Sequence, residues 1–147
     1  MAFQCFAFCR SCGAKNRMPV GRLAEIGRCG ACKAPLGPIA EPIEADHSSL
    51  SRIISEAQVP ILVDFSARFK LGNPEIDALA REMAGRALVL KVDIEAQPEL
   101  AVHYQVQSVP AFALFHGGVM SFQHNGAAPL AEMRQWLEQA AARGLSY

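Results

Sequence analysis

The chain has 147 residues, 51% of them hydrophobic, and its 14 Lys and Arg balance 14 Asp and Glu, so its formal net charge is zero. Intrinsic disorder needs low hydrophobicity or a high net charge, and this composition excludes it. The apolar runs, such as Val59 to Val63 and Ala111 to Phe115, fall far short of the roughly 20 residues of a membrane span. Met1 to Phe8 lacks the basic start of a secretory signal, so a cytoplasmic protein with no membrane partner is expected.

All five cysteines, Cys5, Cys9, Cys12, Cys29 and Cys32, fall in the first 32 residues. Cys9-Arg10-Ser11-Cys12 and Cys29-Gly30-Ala31-Cys32 form two C-x-x-C pairs with 16 residues between them, the spacing of a four-cysteine zinc site. Each pair makes a knuckle that aims two thiolates at one metal, and two knuckles complete a tetrahedron. Gly13 and Gly30 suit the positive φ such turns require. One structural Zn2+ is therefore expected on Cys9, Cys12, Cys29 and Cys32, contributing much of the folding free energy of a head of about 40 residues. Two disulfides or a redox-active C-x-x-C are the alternatives, and a reducing compartment disfavours the first. Cys5 has no partner at ligand spacing and reads as a half-buried thiol among Phe3, Phe6 and Phe8. His47, His103, His116 and His124 show no ligand spacing.

Residues 1–44 hold six Lys and Arg against three Asp and Glu, while 45–147 hold eight against eleven, so opposite charges could help the two parts dock. Neither imbalance suits a nucleic-acid surface. Pro35, Gly37, Pro38 and Pro42 resist helix and read as a stiff connector, giving a four-cysteine domain over 1–40 and a second domain over 41–147.

In the second part, Ser48 or Ser49 can cap a helix carrying Leu50, Ile53 and Ile54. Val59 to Phe65 reads as a buried strand. Asn73-Pro74-Glu75 supplies a cap, a first-turn proline and a first-turn acid for a helix through Ile76, Leu79, Ala80 and Met83 to Gly85. A strand over Ala87 to Ile94 follows, then a short helix from Pro98 to Tyr104. Ala111 to Phe115 and Val119 to His124 form a hairpin about Gly117-Gly118, and Pro129 to Ala142 closes the chain as an amphipathic helix. Strands alternating with helices and ending in a hairpin predict an α/β fold with a mixed sheet.

Val63-Asp64-Phe65, Lys91-Val92-Asp93, Ser108-Val109-Pro110 before a strand, and Gly117-Gly118 with Asn125-Gly126 before the last helix resemble the landmarks of a thioredoxin over residues 46–143. The head, with Cys9-x-x-Cys12, Asn16-Arg17-x-Pro19 and Cys29-Gly30-x-Cys32, resembles the zinc-binding class of bacterial thioredoxins, often called thioredoxin 2. The resemblance implies a thioredoxin-like fold behind a zinc ribbon. It also implies a protein-disulfide reductase whose W-C-G-P-C segment lies between the strand ending V-D-F and the next helix.

Here that segment reads Phe65-Ser66-Ala67-Arg68-Phe69-Lys70-Leu71-Gly72-Asn73-Pro74, without cysteine. Phe69 stands at the family tryptophan and Pro74 at the proline of the following helix, and the stretch between them is shorter by about one helical turn. Exchange needs a low-pKa thiolate and a resolving thiol, and Ser66, Lys70 and Asn73 supply neither. Asp64 matches the family's buried proton-relay carboxylate and reads here as a retained structural acid paired with Lys91. Val109-Pro110 matches the family's cis-proline loop. With Phe69 and Gly126 it would line an apolar groove for an extended protein segment. These residues point to a non-catalytic protein-binding module, a holdase or an assembly partner. The alternative is a thiol-disulfide oxidoreductase or redox sensor that uses the head cysteines.

Overall fold

The computed structural model describes residues 5–67 and 73–144. Two antiparallel hairpins open the chain. The first pairs β1 (Cys5–Phe8) with β2 (Lys15–Met18), and the second pairs β3 (Gly27–Arg28) with β4 (Pro35–Leu36). A single 3-10 turn at Val20–Arg22 connects them. Part of the expected connector is therefore strand, since Pro35 pairs with Arg28. Just past its last proline, β5 (Ile43–Glu44) joins the large sheet as a parallel edge strand.

Helix α1 (His47–Glu56) follows. Its cap is Asp46, whose carboxylate accepts from the Ser49 amide, while the Asp46 amide donates in return to the Ser49 hydroxyl oxygen. Ser49 thus closes a capping box from the third helical position instead of opening the helix, because Asp46 lies three residues upstream and accepts more strongly as an anion. Next come β6 (Ile61–Ser66), α2 (Pro74–Glu82), β7 (Leu88–Asp93), α3 (Pro98–His103), β8 (Ala111–His116), β9 (Val119–Asn125) and α4 (Leu130–Gly144). Gly117 and Gly118 both hold positive φ, at 64° and 82°, as a two-residue type I′ hairpin requires.

The five strands are ordered β5-β7-β6-β8-β9, with β5, β7 and β6 parallel and β8 and β9 antiparallel. Side chains alternate across the sheet. Ile61, Val63, Phe65, Leu90 and Val92 face one side with Leu50, Ile53 and Leu100 of α1 and α3. Leu62, Val89, Phe112 and Leu114 face the other with Ile76 and Leu79 of α2 and Met133 and Leu137 of α4. Helices thus cover both faces of a mixed sheet, as expected from the sequence. On the outer part of the second face, Trp136 of α4 meets Phe122 and His124 of β9, with ring centroids 4.9 and 5.0 Å apart.

The head packs on the first face. Met18, Val20, Leu23 and Leu36 belong to the same apolar cluster as Leu50, Ile53, Ile54 and Ala57. The Ile39 amide donates to the Leu23 carbonyl at 3.2 Å. A Cβ on Gly21 would come within 3.0 Å of the Glu56 carbonyl oxygen, which shows how closely the 3-10 turn approaches the end of α1.

Candidate metal centre and cis-proline loop

The two hairpins present their knuckles by the same hydrogen bonds. The Gly13 amide donates to the Cys9 carbonyl at 2.8 Å and the Cys9 amide to Ala14 at 2.9 Å. In the second knuckle Lys33 donates to Cys29 at 2.9 Å, and Cys29 to Ala34 at 2.9 Å. Each turn needs positive φ one residue after its second cysteine, which Gly13 meets at 78° and Lys33 at 67°. Gly30, expected to fill that role, stands elsewhere in the turn. The left-handed position of the second knuckle is held by a lysine, whose ammonium donates to the Gly30 carbonyl at 3.3 Å.

The four Sγ atoms of Cys9, Cys12, Cys29 and Cys32 lie within 4.8 Å of one another. Cys9 faces Cys32, and Cys12 faces Cys29, each pair at 3.6 Å, and all four are free thiols. A tetrahedron with metal–sulfur bonds of about 2.3 Å has edges of about 3.8 Å, so the quartet fits a metal ion closely. Cys9 and Cys29 are buried, while Cys12 and Cys32 open to solvent. Amide donors, the Cys32 N–H first and then the Asn16 side chain, bring the Cys29 thiol down to about 6. Cys9 is lowered by the amides of Cys12 and Ser11. The Ala14 amide lowers Cys12, but the neighbouring Cys29 and Cys32 sulfurs outweigh it and push that thiol up to about 12. A cation bound by the quartet would displace the protons that remain on its thiols.

Among the described residues this quartet is the one His, Cys, Asp or Glu cluster suited to a metal, and no histidine joins it. Of Cys5 the backbone pairs with Met18 in β1, while Phe8, expected to help cover it, is 68% exposed. Asn16, which the sequence offers only as part of the Asn16-Arg17-x-Pro19 motif, joins the two knuckles. A polar residue four positions past a knuckle was the available signal.

The loop after β6 begins at Ser66, half-buried at the strand's end, whose carbonyl accepts from Ile94 at 3.0 Å. Phe69 and Lys70 lie outside the described residues. Asn73 caps α2 through its side-chain oxygen, 3.0 Å from the Glu75 amide, and Pro74 takes the first helical position. Asp64 is 4% exposed and stands opposite Lys91 in the parallel ladder and Phe112 in the antiparallel one. One of its carboxylate oxygens has no hydrogen-bond partner among the described residues. Burial raises its pKa to about 6 against the pull of the Lys91 charge.

The Val109-Pro110 bond is cis, and the Pro110 carbonyl accepts from the Gly126 amide at 2.8 Å, so three of the four expected groove residues meet. Val109 is 39% exposed. Among the described residues no helix is long and apolar enough to cross a membrane.

The family model described as Thioredoxin matches residues 41–139, and the one described as Thioredoxin 2, N-terminal, a zinc ribbon, matches residues 8–34. A protein named Thioredoxin C-3, from Corynebacterium nephridii, is 35% identical over 135 residues, covering 89% of this chain and 92% of that protein. Thioredoxin 1 from Chlorobaculum tepidum is 37% identical over 91 residues, or 59% of this chain and 90% of its own length. Among solved structures, a mutant thioredoxin from Halobacterium salinarum superposes with a TM-score of 0.63 at 24% identity, covering 69% of this chain and 92% of its own, a likeness of fold.

Proposed function

Because the chain belongs to the thioredoxin family and carries the zinc-ribbon head of its thioredoxin 2 class, we propose that it is a metal-stabilised, non-catalytic binding module for proteins. The carrying observation is that no cysteine follows Cys32 in the sequence. Dithiol exchange needs an attacking thiolate and a resolving thiol beside one substrate disulfide, and the thioredoxin-like region, taken as residues 41–147, has no thiol. Its loop offers Ser66, Lys70 and Asn73 instead.

Zinc is the metal proposed for Cys9, Cys12, Cys29 and Cys32. Four thiolates in a closed tetrahedron suit it, and with no open position it supplies folding energy and charge neutralisation rather than Lewis-acid catalysis. Residence in a reducing cytoplasm would keep the four thiols available to it. The partner is an extended protein segment, laid beside exposed Val109 and beside Pro110 and Gly126, with Phe69 expected from the sequence to join them. Strand addition of this kind draws affinity from main-chain hydrogen bonds.

A second reading rests on the solvent-open Cys12 and Cys32, each 3.6 Å from a buried cysteine. In that reading the head would carry thiol-disulfide chemistry. An insulin-disulfide reduction assay on the zinc-loaded full chain, with dithiothreitol as electron donor, separates the two. The binding module gives no rate above the dithiothreitol background. A rate that disappears in Cys12→Ser or Cys32→Ser would overturn it and assign the chemistry to the head.

A further inference from the structure

We propose that Asn16 is a positioning residue of the metal centre, one carboxamide that fixes the second knuckle against the first and donates a hydrogen bond to the Cys29 sulfur. The inference rests on the reading of the cysteine quartet as a metal site. Asn16 lies on β2, in the first hairpin, and reaches across to the second. Its Oδ1 accepts from the Gly30 amide at 2.9 Å. Its Nδ2 donates to the Ala14 carbonyl at 3.2 Å and to Cys29 Sγ at 3.5 Å. The amide orientation is forced: the Gly30 N–H can only donate, so the side-chain oxygen must face it and the NH2 must face sulfur and carbonyl.

The two hairpins are not equivalent here. Counting from the second cysteine of each knuckle, the position matching Asn16 is Leu36, which is buried at 7% exposure in the core shared with α1. One hairpin thus spends this position on anchoring the head, and the other spends it on bridging the knuckles. The bridge answers an electrostatic need. Four thiolates around a divalent ion leave two excess negative charges, and N–H donors to sulfur spread that charge and orient the ligands. Cys29 receives such donors from Asn16 at 3.5 Å and from the Ala31 amide at 3.4 Å, beside the Cys32 N–H. Fully buried, it has little access to water for the same purpose.

The test compares the full-length protein with Asn16→Ala and Asn16→Asp, by chelator competition for Zn2+ and by the absorption spectrum of the Co2+ form. Asn16→Ala should weaken zinc binding by about 10–100-fold. Removing an N–H from a ligating sulfur makes it a stronger electron donor, so the thiolate-to-Co2+ charge-transfer band should move to longer wavelength. Asn16→Asp keeps an acceptor for Gly30 but replaces the donor to Cys29 with a negative charge, and should lose at least as much affinity as Asn16→Ala. Far-ultraviolet circular dichroism of each loaded variant confirms that it is folded. If the wild type binds no metal, the metal reading itself fails. If the wild type binds zinc and both variants match it within twofold with an unmoved band, Asn16 has no role at the centre. If Asn16→Asp alone matches the wild type, the donor to Cys29 is overturned.

Discussion

Asp64 and Lys91 stand directly opposite in the parallel pair of β6 and β7, yet the lysine does not hold the carboxyl in its usual range. Burial wins, and the Asp64 pKa rises from 3.8 to about 6. A folded-state pKa above the unfolded one means that the native state favours the protonated acid. The stability this group contributes is therefore complete below about pH 4 and is lost as pH rises through about 6. Asp64→Asn, which keeps the shape and never ionises, should stabilise the protein by about 3 kcal/mol well above pH 6 and leave it nearly unchanged near pH 4. Urea titrations across that range measure the difference. A gain independent of pH would show that ionisation of Asp64 is not its source.

Gly21 sits where the head touches α1, and an added Cβ would meet the Glu56 carbonyl oxygen at 3.0 Å. Backbone cannot swing aside as a flexible side chain can. Gly21→Ala should cost about 1–3 kcal/mol through overpacking, whereas Gly27→Ala meets nothing closer than 3.8 Å and serves as the control. Equal melting temperatures for the two variants would mean that the head rests more loosely on the helix.

Asn73 supplies one side-chain oxygen to an otherwise unbonded amide at the start of α2. Asn73→Ala should cost about 1 kcal/mol, and Asn73→Asp or Asn73→Ser should recover most of it. Should alanine prove neutral in chemical denaturation, the cap is dispensable.

Metal removal should reach beyond the head. Leu23, Met18 and Val20 share one apolar cluster with Leu50 and Ile53, so a head that unfolds without its ion uncovers part of α1. Chelation should lower the thermal midpoint of the whole chain, by about 2–4 °C for each kcal/mol lost, and increase binding of a hydrophobic dye. An unchanged midpoint for the strands and helices beyond residue 41 would show the two parts to be energetically independent.

Asn73-Pro74-Glu75 announced its helix because three local signals agree there, and local signals suffice for helix starts. The knuckles were legible for a similar reason: covalent spacing alone brings each pair of sulfurs together. What escaped the sequence depends partly on contacts between distant segments and partly on local competition among neighbouring residues. The two-residue strand β5 has no periodicity to read, and its pairing with Leu90 and Lys91 exists only because the sheet supplies an edge. Ser48 and Ser49 looked like caps, but Asp46 competes better for the same amides. Lys33 in a left-handed turn contradicts residue preference, and the turn it shares with Gly13 becomes visible only when the knuckles are superposed. The Asn16 bridge spans 14 residues to Gly30, beyond the reach of any local rule.

Trp136 is the sole tryptophan of the chain, and its ring lies against Phe122 and His124 where α4 covers β9, on the side of the sheet away from the zinc-ribbon hairpins. The protein therefore carries its own optical reporter for one half of the molecule, while a cobalt-substituted cysteine quartet would report on the other. Following both colours through a single denaturation gives the cooperativity between the halves directly. Superimposable curves mean one folding unit, and a cobalt signal that bleaches first means that the hairpins let go while α4 still grips the sheet.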